Sequence, residues 1–459
     1  MERVDVAIVG GGPAGASAAE RAASHGADTV LFEQGVPRED RDGLGPDSTD
    51  AAGMLDYWVD IMDVDYREIP DEIILRELTG TDFVGPSSRI EIDSTGMDAS
   101  YPKFGYTFHR ARMDDWLHER AEEAGADLRV GTGVKSVETE LLGGPTHTLT
   151  LSNGEQLEAD YLILADGPQR RVTIPTLDQF LPPGTSMTEY LSPPRANHIA
   201  YQEYREFPEE LFAEFEDRLK FWWGYIPGET AYPWIFPNDG TVARVGLTMP
   251  IGMRLEDVRN PASYKLLRPD DEQLPSASEY LRRLLEREYG DEYDIDEDIP
   301  IVEDRGKSKG TETYPISSTR PIDSPVRANV AVAGGAMGTT SAFHEGGYHV
   351  AVRTGTIAGR LAATDSLAHY NDIWKRAIGS EILRNVAFAD IVADYEPDDW
   401  DWAFRTASRM QDSSKGNALF SKKFSAGADA LRLLAAYRKR KFAYRKGRYV
   451  QFGADEYVY

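Results

Sequence analysis

Val4-Asp5-Val6-Ala7-Ile8-Val9-Gly10-Gly11-Gly12-Pro13-Ala14-Gly15 is the stretch that decides the fold, an apolar run, a knot of glycines and then an alanine-rich segment to about Ser24. The run reads as a buried strand, the glycines as a tight turn and the alanines as a helix. Gly10 lets the strand turn sharply, Gly12 lets backbone N–H groups approach a pyrophosphate, and Gly15 lets the helix pack against the strand. The pyrophosphate then meets the partial positive charge of the helix N-terminus, where Ala14 contributes to the first turn. A second strand, Thr29-Val30-Leu31-Phe32, ends on Glu33, 23 residues past Gly10, where it can accept hydrogen bonds from a ribose. Strand, turn, helix and acid at this distance make a complete βαβ dinucleotide fingerprint. A glycine turn with no ligand accounts for the turn but not for the acid.

Outside that stretch, composition narrows the field. With 459 residues the chain can bury a sizeable core. It carries 77 acidic and 50 basic residues, a net charge of −27, so no nucleic-acid partner is expected for the main body. The acids are dispersed over an ordinary apolar pattern, and lysine is scarce. This balance resembles that of proteins adapted to high salt, where screening removes the self-repulsion. There is no cysteine, which excludes disulfides, thiolate zinc sites and cysteine-ligated iron–sulfur clusters. No metal site is expected. No apolar run reaches membrane-span length and no signal peptide is evident, so a cytoplasmic protein, peripheral at most to a membrane, is expected.

Further along, Gly35 to Asp50 is a Gly/Pro/Asp/Arg-rich loop that either crosses the cofactor, as in a flavin fold, or is a plain solvated loop. A helical pattern from Ala51 to Met62 follows, then strand-like runs at Ile73 to Leu78 and Arg89 to Ile92. Arg110 stands at a strand-to-helix junction before an amphipathic helix to Ala124 and is a candidate cofactor contact. Hairpin strands with an Asn153-Gly154 turn deliver the chain into Tyr161-Leu162-Ile163-Leu164-Ala165-Asp166-Gly167, a second strand–turn signal with Asp166 at its end. From Arg171 to Ser318 the runs Tyr201–Arg205, Phe221–Tyr225, Tyr232–Pro237 and Val242–Met249 predict one antiparallel sheet. The third signal is Ala331-Val332-Ala333-Gly334-Gly335-Ala336, leading through Gly346 and Gly347 into a helix from about Tyr348 to Leu361. The N–H groups of that helix suit the negative charge of a reduced isoalloxazine ring.

Three glycine signals in this order resemble the p-hydroxybenzoate hydroxylase-like FAD proteins, and within them the geranylgeranyl reductases, including those acting on digeranylgeranyl glycerophospholipids. Tyr232-Pro233-Trp234-Ile235-Phe236-Pro237 followed by Val245-Gly246 looks like their Y-x-W-x-F-P…N-V-G motif, and Arg110-Ala111-Arg112-Met113-Asp114 like their R-x-x-F-D. The likeness covers roughly residues 1 to 390. In four places the chain departs from the pattern: Gly335 stands for the family aspartate, Ala342 for a proline, Arg244 for the asparagine of N-V-G, and the cysteine of many members is missing.

The resemblance implies an α/β (α+β) fold, with a Rossmann-type FAD-binding domain (1–170, completed by 319–365) interleaved with an antiparallel-sheet substrate domain (171–318) and followed by C-terminal helices (366–459). It implies FAD as cofactor, bound by Gly10, Gly12, Ala14, Gly15, Glu33, Arg110, Asp166, Gly334, Gly335, Gly346 and Gly347. The reaction implied is reduction of isolated carbon–carbon double bonds in an isoprenoid chain of a membrane lipid. NAD(P)H and a ferredoxin are both open as electron donors. Such an alkene offers no oxygen to polarise, so the protein must work by positioning and excluding water. Tyr232, Trp234 and Phe236, alternating along one strand face, suit an apolar chain, although sheet core would explain them equally. His344 is the nearest candidate proton donor. From Leu431 to Val450 the chain has eight basic residues, no acid and interleaved aromatics. That segment suits an anionic membrane surface, or else folds back on the protein's own acidic face. Two other functions fit the pattern: a flavin monooxygenase or halogenase, and a non-catalytic isoprenoid-binding protein whose flavin site has decayed.

Overall fold

The computed structural model describes residues 1–35, 51–191, 198–317, 319–412 and 428–459; nearly all of the loop expected to cross a cofactor, 36–50, lies outside the described residues. In chain order the strands are β1 (Glu2–Val9), β2 (Thr29–Phe32), β3 (Ala51–Leu55), β4 (Ile74–Leu78), β5 (Gly80–Val84), β6 (Arg89–Ile92), β7 (Gly105–Phe108), β8 (Asp127–Arg129), β9 (Val134–Glu140), β10 (Thr146–Leu151), β11 (Gln156–Leu164), β12 (His198–Glu206), β13 (Arg218–Trp222), β14 (Tyr232–Pro237), β15 (Val242–Pro250), β16 (Thr311–Ile316) and β17 (Val330–Val332). The helices are α1 (Pro13–Ser24), α2 (Asp56–Met62), α3 (Arg110–Glu123), α4 (Thr173–Asp178), α5 (Glu209–Phe212), α6 (Ala277–Tyr289), α7 (Tyr348–Ala363), α8 (Tyr370–Val392), α9 (Pro397–Asp412) and α10 (Ala428–Tyr444).

The first sheet runs β8-β2-β1-β11-β10-β9, with β17 also on β11. Val6, Ala7 and Ile8 of β1 are fully buried, as expected of a parallel strand covered on both faces. β11 pairs with β1 along one edge and is long enough to serve two partners along the other. Its Gln156–Ala159 half pairs antiparallel with β10, and Leu162–Leu164 pairs parallel with β17. α1 lies against α7 at unusually short range, because two glycines of α7 meet its backbone. A Cβ on Gly355 would sit 1.9 Å from the Ala14 carbonyl oxygen, and one on Gly359 2.1 Å from that of Ala18. Small residues on both helices therefore bring the first turns of α1 against the middle of α7.

The second sheet runs β16-β12-β15-β14-β13-β5-β6. It is the aromatic sheet expected from the sequence, with two differences. The β13–β5 pair is parallel, and β5 and β6 come from within the first 170 residues. Fully burying each of its large apolar side chains stabilises by about 1.5–3 kcal/mol, so Trp222, Ile235, Val245 and Leu247 anchor it against α6.

A third sheet, β3-β7-β4, corrects the expected helix over Ala51–Met62. Residues 51–55 are a strand, with Met54 opposite Tyr106 and Leu55 opposite Gly105, and the helix is confined to α2. The partner strand is 50 residues away in the chain, and its pairing overrides local helical preference. Gly53 makes this possible, since a Cβ there would lie 2.7 Å from Leu219 Cδ1. No helix among the described residues is long and apolar enough to cross a membrane.

Candidate functional site

One cavity of about 1470 Å³ runs from the glycine turn of β1–α1, under the aromatic face of the second sheet, to α8, α9 and α10. Ligand pockets of roughly 300–1,000 Å³ hold a drug-sized molecule, so this one has room for an extended dinucleotide and an apolar chain besides. Its wall takes Gly10, Gly12, Ala14, Glu33, Arg110, Asp166, Tyr232, Trp234, Phe236, Gly335, His344, Gly346 and Gly347. Of the site residues expected from sequence only Gly15 and Gly334 lie behind it. Gly15 packs, since a Cβ there would fall 1.8 Å from the Gly10 carbonyl oxygen. Gly334, at φ +62°, donates its N–H to Thr354 Oγ1 and abuts Ala14.

At the glycine end, Gly12 caps α1 and Pro13 occupies its first position, where a missing N–H costs nothing. A Cβ on Gly12 would meet no atom within 4 Å, which leaves the space over the helix N-terminus open to a ligand. Glu33 Oε2 accepts from the Gly11 N–H and Oε1 from the Gly35 N–H, each at 2.6 Å. The carboxylate thus fixes the turn and keeps a second lone pair on each oxygen for ribose hydroxyls. A group with a pyrophosphate and a ribose fits these residues.

Asp166 is placed differently from expectation. Its carboxylate accepts from the N–H groups of Val172 (2.7 Å) and Thr173 (3.0 Å) and from the Thr173 hydroxyl. It caps the start of α4, whose free N–H groups need an acceptor, so its side chain serves the fold at the edge of the cavity. Arg170, absent from the sequence expectations, locks the second glycine signal to the third. Fully buried at φ +52°, it donates to the carbonyls of Pro168, Gly335 and Ala336 and to Ser317 Oγ, and burial lowers it to about 10. An ADG-x-x-R spacing alone gives no signal for this. Arg110 pairs with Asp114 at 3.3 Å, and Asp114 accepts from the Tyr348 hydroxyl at 2.8 Å, tying the start of α3 to the start of α7.

The aromatic wall is built by register. Trp234 and Phe236 stack with ring centres 5.4 Å apart and planes 7° apart. Gly246 stands opposite Trp234 on β15, and a Cβ there would lie 2.4–2.6 Å from three indole atoms. The glycine is what lets the indole lie flat over the neighbouring strand. Tyr232 donates its hydroxyl to the His344 carbonyl at 2.9 Å.

His344 stacks on Trp58 at 5.0 Å, and on the indole's other neighbour, His349, the spacing is 4.2 Å. The Gly346 N–H donates to His344 Nδ1 at 3.2 Å, so the ring's proton is on Nε2. Burial first, and then the charge of Arg384, push the imidazole down to about 3. Burial therefore favours the neutral ring, which argues against the proton-donor role expected for it. Arg384 itself pairs with the buried Glu381 and donates to Tyr57 Oη at 2.8 Å. Glu345, between His344 and Gly346, also lines the cavity and is absent from the sequence expectations. Among the described residues no cluster of three or more metal-ligating side chains occurs.

At the far end, Leu433, Leu434, Tyr437, Arg438 and Lys441 of α10 complete the wall. The basic segment partly folds back. Tyr437 stacks on Phe388 at 4.9 Å, Arg440 pairs with Asp390 at 2.9 Å, and Tyr449 and Phe452 are buried. Leu431 and Phe442 stay exposed among the cations.

Residues 3–177 match the family described as FAD binding domain. The chain thus carries an FAD-binding domain, and its sequence is similar to geranylgeranyl reductases. The geranylgeranyl diphosphate reductase of Synechocystis is 29% identical over 276 residues, covering 57% of this chain and 60% of that enzyme. A digeranylgeranylglycerophospholipid reductase of Methanosphaera stadtmanae is 24% identical over 417 residues, covering 87% and 90%. The crystal structure of a geranylgeranyl bacteriochlorophyll reductase-like protein from Thermoplasma acidophilum shares the fold, with TM-score 0.64 at 20% identity over 98% of this chain and 97% of that one. A myxobacterial chondrochloren halogenase shares it at TM-score 0.57 and 17% identity, covering 96% and 97%.

Proposed function

We propose that this chain is an FAD-dependent oxidoreductase that reduces isolated carbon–carbon double bonds of a geranylgeranyl-type chain in a membrane lipid. The observation that carries the proposal is the single cavity joining a dinucleotide cradle to an apolar, aromatic-walled tunnel. When bound, FAD supplies the hydride. Gly12, Ala14 and the first turn of α1 would hold its pyrophosphate, Glu33 its ribose, and Gly346, Gly347 and the start of α7 the electron-rich end of its ring. Tyr232, Trp234 and Phe236 would align the prenyl chain and keep water out. Gly335 offers no carboxylate for the cofactor hydroxyls, so those are left to Glu33 and to backbone.

The electron donor is either NAD(P)H docking transiently or a ferredoxin. Arg438 and Lys441 at the mouth, with exposed Leu431 and Phe442 beside them, support a peripheral contact with anionic membrane through residues 431–450. The acid excess supports life in concentrated salt, in the cytoplasm of an archaeal-type cell.

The halogenase likeness supports a second function, oxygen chemistry on the same cofactor. Tyr232 and Phe236, where halogenases of this superfamily carry tryptophan and isoleucine in W-x-W-x-I-P, favour the reductase. The deciding experiment reduces the FAD-loaded protein without oxygen in high salt and adds a geranylgeranyl lipid. Flavin reoxidation by the lipid alone is the expected result. Reoxidation only on admitting air would establish oxygen chemistry, and a protein that never retains FAD would favour a non-catalytic binding protein.

A further inference from the structure

Glu345 is a carboxyl that the chemistry described so far leaves unused. It borders the cavity between Tyr232 on the aromatic wall and Gly346-Gly347 at the mouth of α7. Its side chain is 3% exposed and its backbone is held at φ +57°. Oε1 accepts from the Thr230 hydroxyl at 3.1 Å and Oε2 from the Thr248 hydroxyl. Among the described residues its ionisable contact is His198 of β12, whose Nδ1 lies 3.4 Å from Oε1.

The hydrogen-bond geometry of His198 fixes where protons can be. Its Nε2 lies 3.1 Å from the Glu229 carbonyl oxygen, and a carbonyl only accepts, so Nε2 carries the ring hydrogen. In the neutral ring Nδ1 is then a buried lone pair 3.4 Å from Oε1, with no hydrogen-bond donor of its own. A lone pair facing an ionised carboxylate in a buried site is repulsive, and one proton held between the two groups removes the conflict. The other titratable groups nearby are Tyr232 of β14 and Tyr314 of β16, both pushed further up by Glu345, and the neutral His344. Among the described residues no lysine or arginine pairs with the carboxyl. Burial accordingly raises Glu345 to about 8 and lowers His198, so at neutral pH the carboxyl holds the proton.

We propose that Glu345, with His198 as its buried proton partner, is the catalytic acid that gives the substrate alkene its proton. The inference rests on the alkene-reducing function proposed above. The π bond of the alkene breaks and two C–H bonds form. One takes its electron pair as hydride from the reduced cofactor, which is oxidised, and the other takes the proton of the Glu345 O–H. The carboxylate left behind is stabilised by the Thr230 and Thr248 hydroxyls and regains a proton from solvent before the next turnover. Other groups on the wall are less suited. His344 is neutral, the Tyr232 hydroxyl is committed to a carbonyl, and Glu381 is ion-paired with Arg384.

The test uses FAD-loaded wild type, the isosteric E345Q, and T248V. Infrared difference spectra between pH 6 and pH 10 are expected to show a protonated-carboxyl band that titrates near pH 8, is missing in E345Q, and shifts its midpoint upward in T248V. In anaerobic single-turnover reoxidation by a phospholipid carrying geranylgeranyl chains, E345Q is expected to keep its FAD and lose about 100-fold or more in rate, the range for removing a general acid. A wild-type rate in FAD-loaded E345Q, or no carboxyl band lost with Glu345, would overturn the assignment. Wild type that shows the band but is not reoxidised by the lipid would overturn the alkene function and the acid role resting on it, while E345Q at full rate beside an active wild type would overturn the acid role alone.

Discussion

Gly246→Ala is the sharpest probe of the aromatic wall. The added methyl would stand 2.4 Å from Trp234 Cε2, 2.5 Å from Cζ2 and 2.6 Å from Nε1, whereas relaxed carbon contacts lie at roughly 3.5–4.0 Å. More than an ångström of overlap must be removed, and the backbone of β15 is fixed between β12 and β14. The rigid indole therefore has to tilt into the cavity, against Phe236 stacked 5.4 Å away. Overpacking of this kind costs about 1–3 kcal/mol. Part of it appears as lost stability. The rest appears as weaker binding of an apolar chain, about 5- to 30-fold for 1–2 kcal/mol. Urea unfolding and quenching of tryptophan fluorescence by a prenyl lipid would measure the two parts. A double-mutant cycle with Trp234→Leu isolates the cause: with the indole gone, the alanine should cost little. If G246A is as harmful in the W234L background, the clash is not its mechanism.

Glu345 makes a second prediction through stability alone. A carboxyl raised from 4.5 to about 8 in the folded protein binds its proton more tightly there than in the unfolded chain. It therefore contributes stability that is complete below pH 4.5 and is lost as pH rises through 8, about 5 kcal/mol in all. About 3 kcal/mol of this falls between pH 6 and 9, so urea unfolding should show wild type losing that much more than E345Q over this interval, and parallel pH profiles would count against a stored proton. Gly355→Ala places a methyl 1.9 Å from the Ala14 carbonyl oxygen and should force α1 and α7 apart, lowering the melting temperature and releasing FAD on gel filtration; full retention would show that their close approach is not needed. Because Tyr449 and Phe452 are buried, the membrane contact is better tested by charge reversal than by truncation, and Arg438→Glu with Lys441→Glu should abolish co-sedimentation with anionic liposomes while leaving the fold's circular dichroism intact.

How much of this was legible in the sequence depends on how far each feature reaches along the chain. The β1–α1 turn is local, and its glycines, its apolar run and Glu33 were all readable, as were β14 from its alternating aromatics and β15 from its apolar, β-branched run. The strand at 51–55 was not, because what makes it a strand is β7, and nothing within its own five residues says so. Asp166 was correctly placed at the cavity but not in its role, since the groups it satisfies, the N–H groups of Val172 and Thr173, become needy only once α4 exists. His344 illustrates the same limit in electrostatics. A histidine beside a glycine turn reads as a proton donor until burial and Arg384 are known. Glu345 was visible as a letter, but its meaning depends on Thr230, Thr248 and His198, which reach it from strands and turns that only the folded sheet brings together.

The late arrival of β17 and α7 has a consequence for synthesis. The edge of β11 that receives Val330–Val332 and the face of α1 that receives Gly355 and Gly359 are completed by residues emerging some 150 to 200 positions after β11 itself. Until then the nascent chain presents to the ribosome exit and its chaperones an unpaired parallel edge beside a bare alanine face, the kind of surface that invites wrong pairings. The cofactor cradle is thus assembled from the two ends of a long intervening insertion. A translational stall or truncation anywhere before about residue 363 should yield a chain that recruits chaperones rather than flavin.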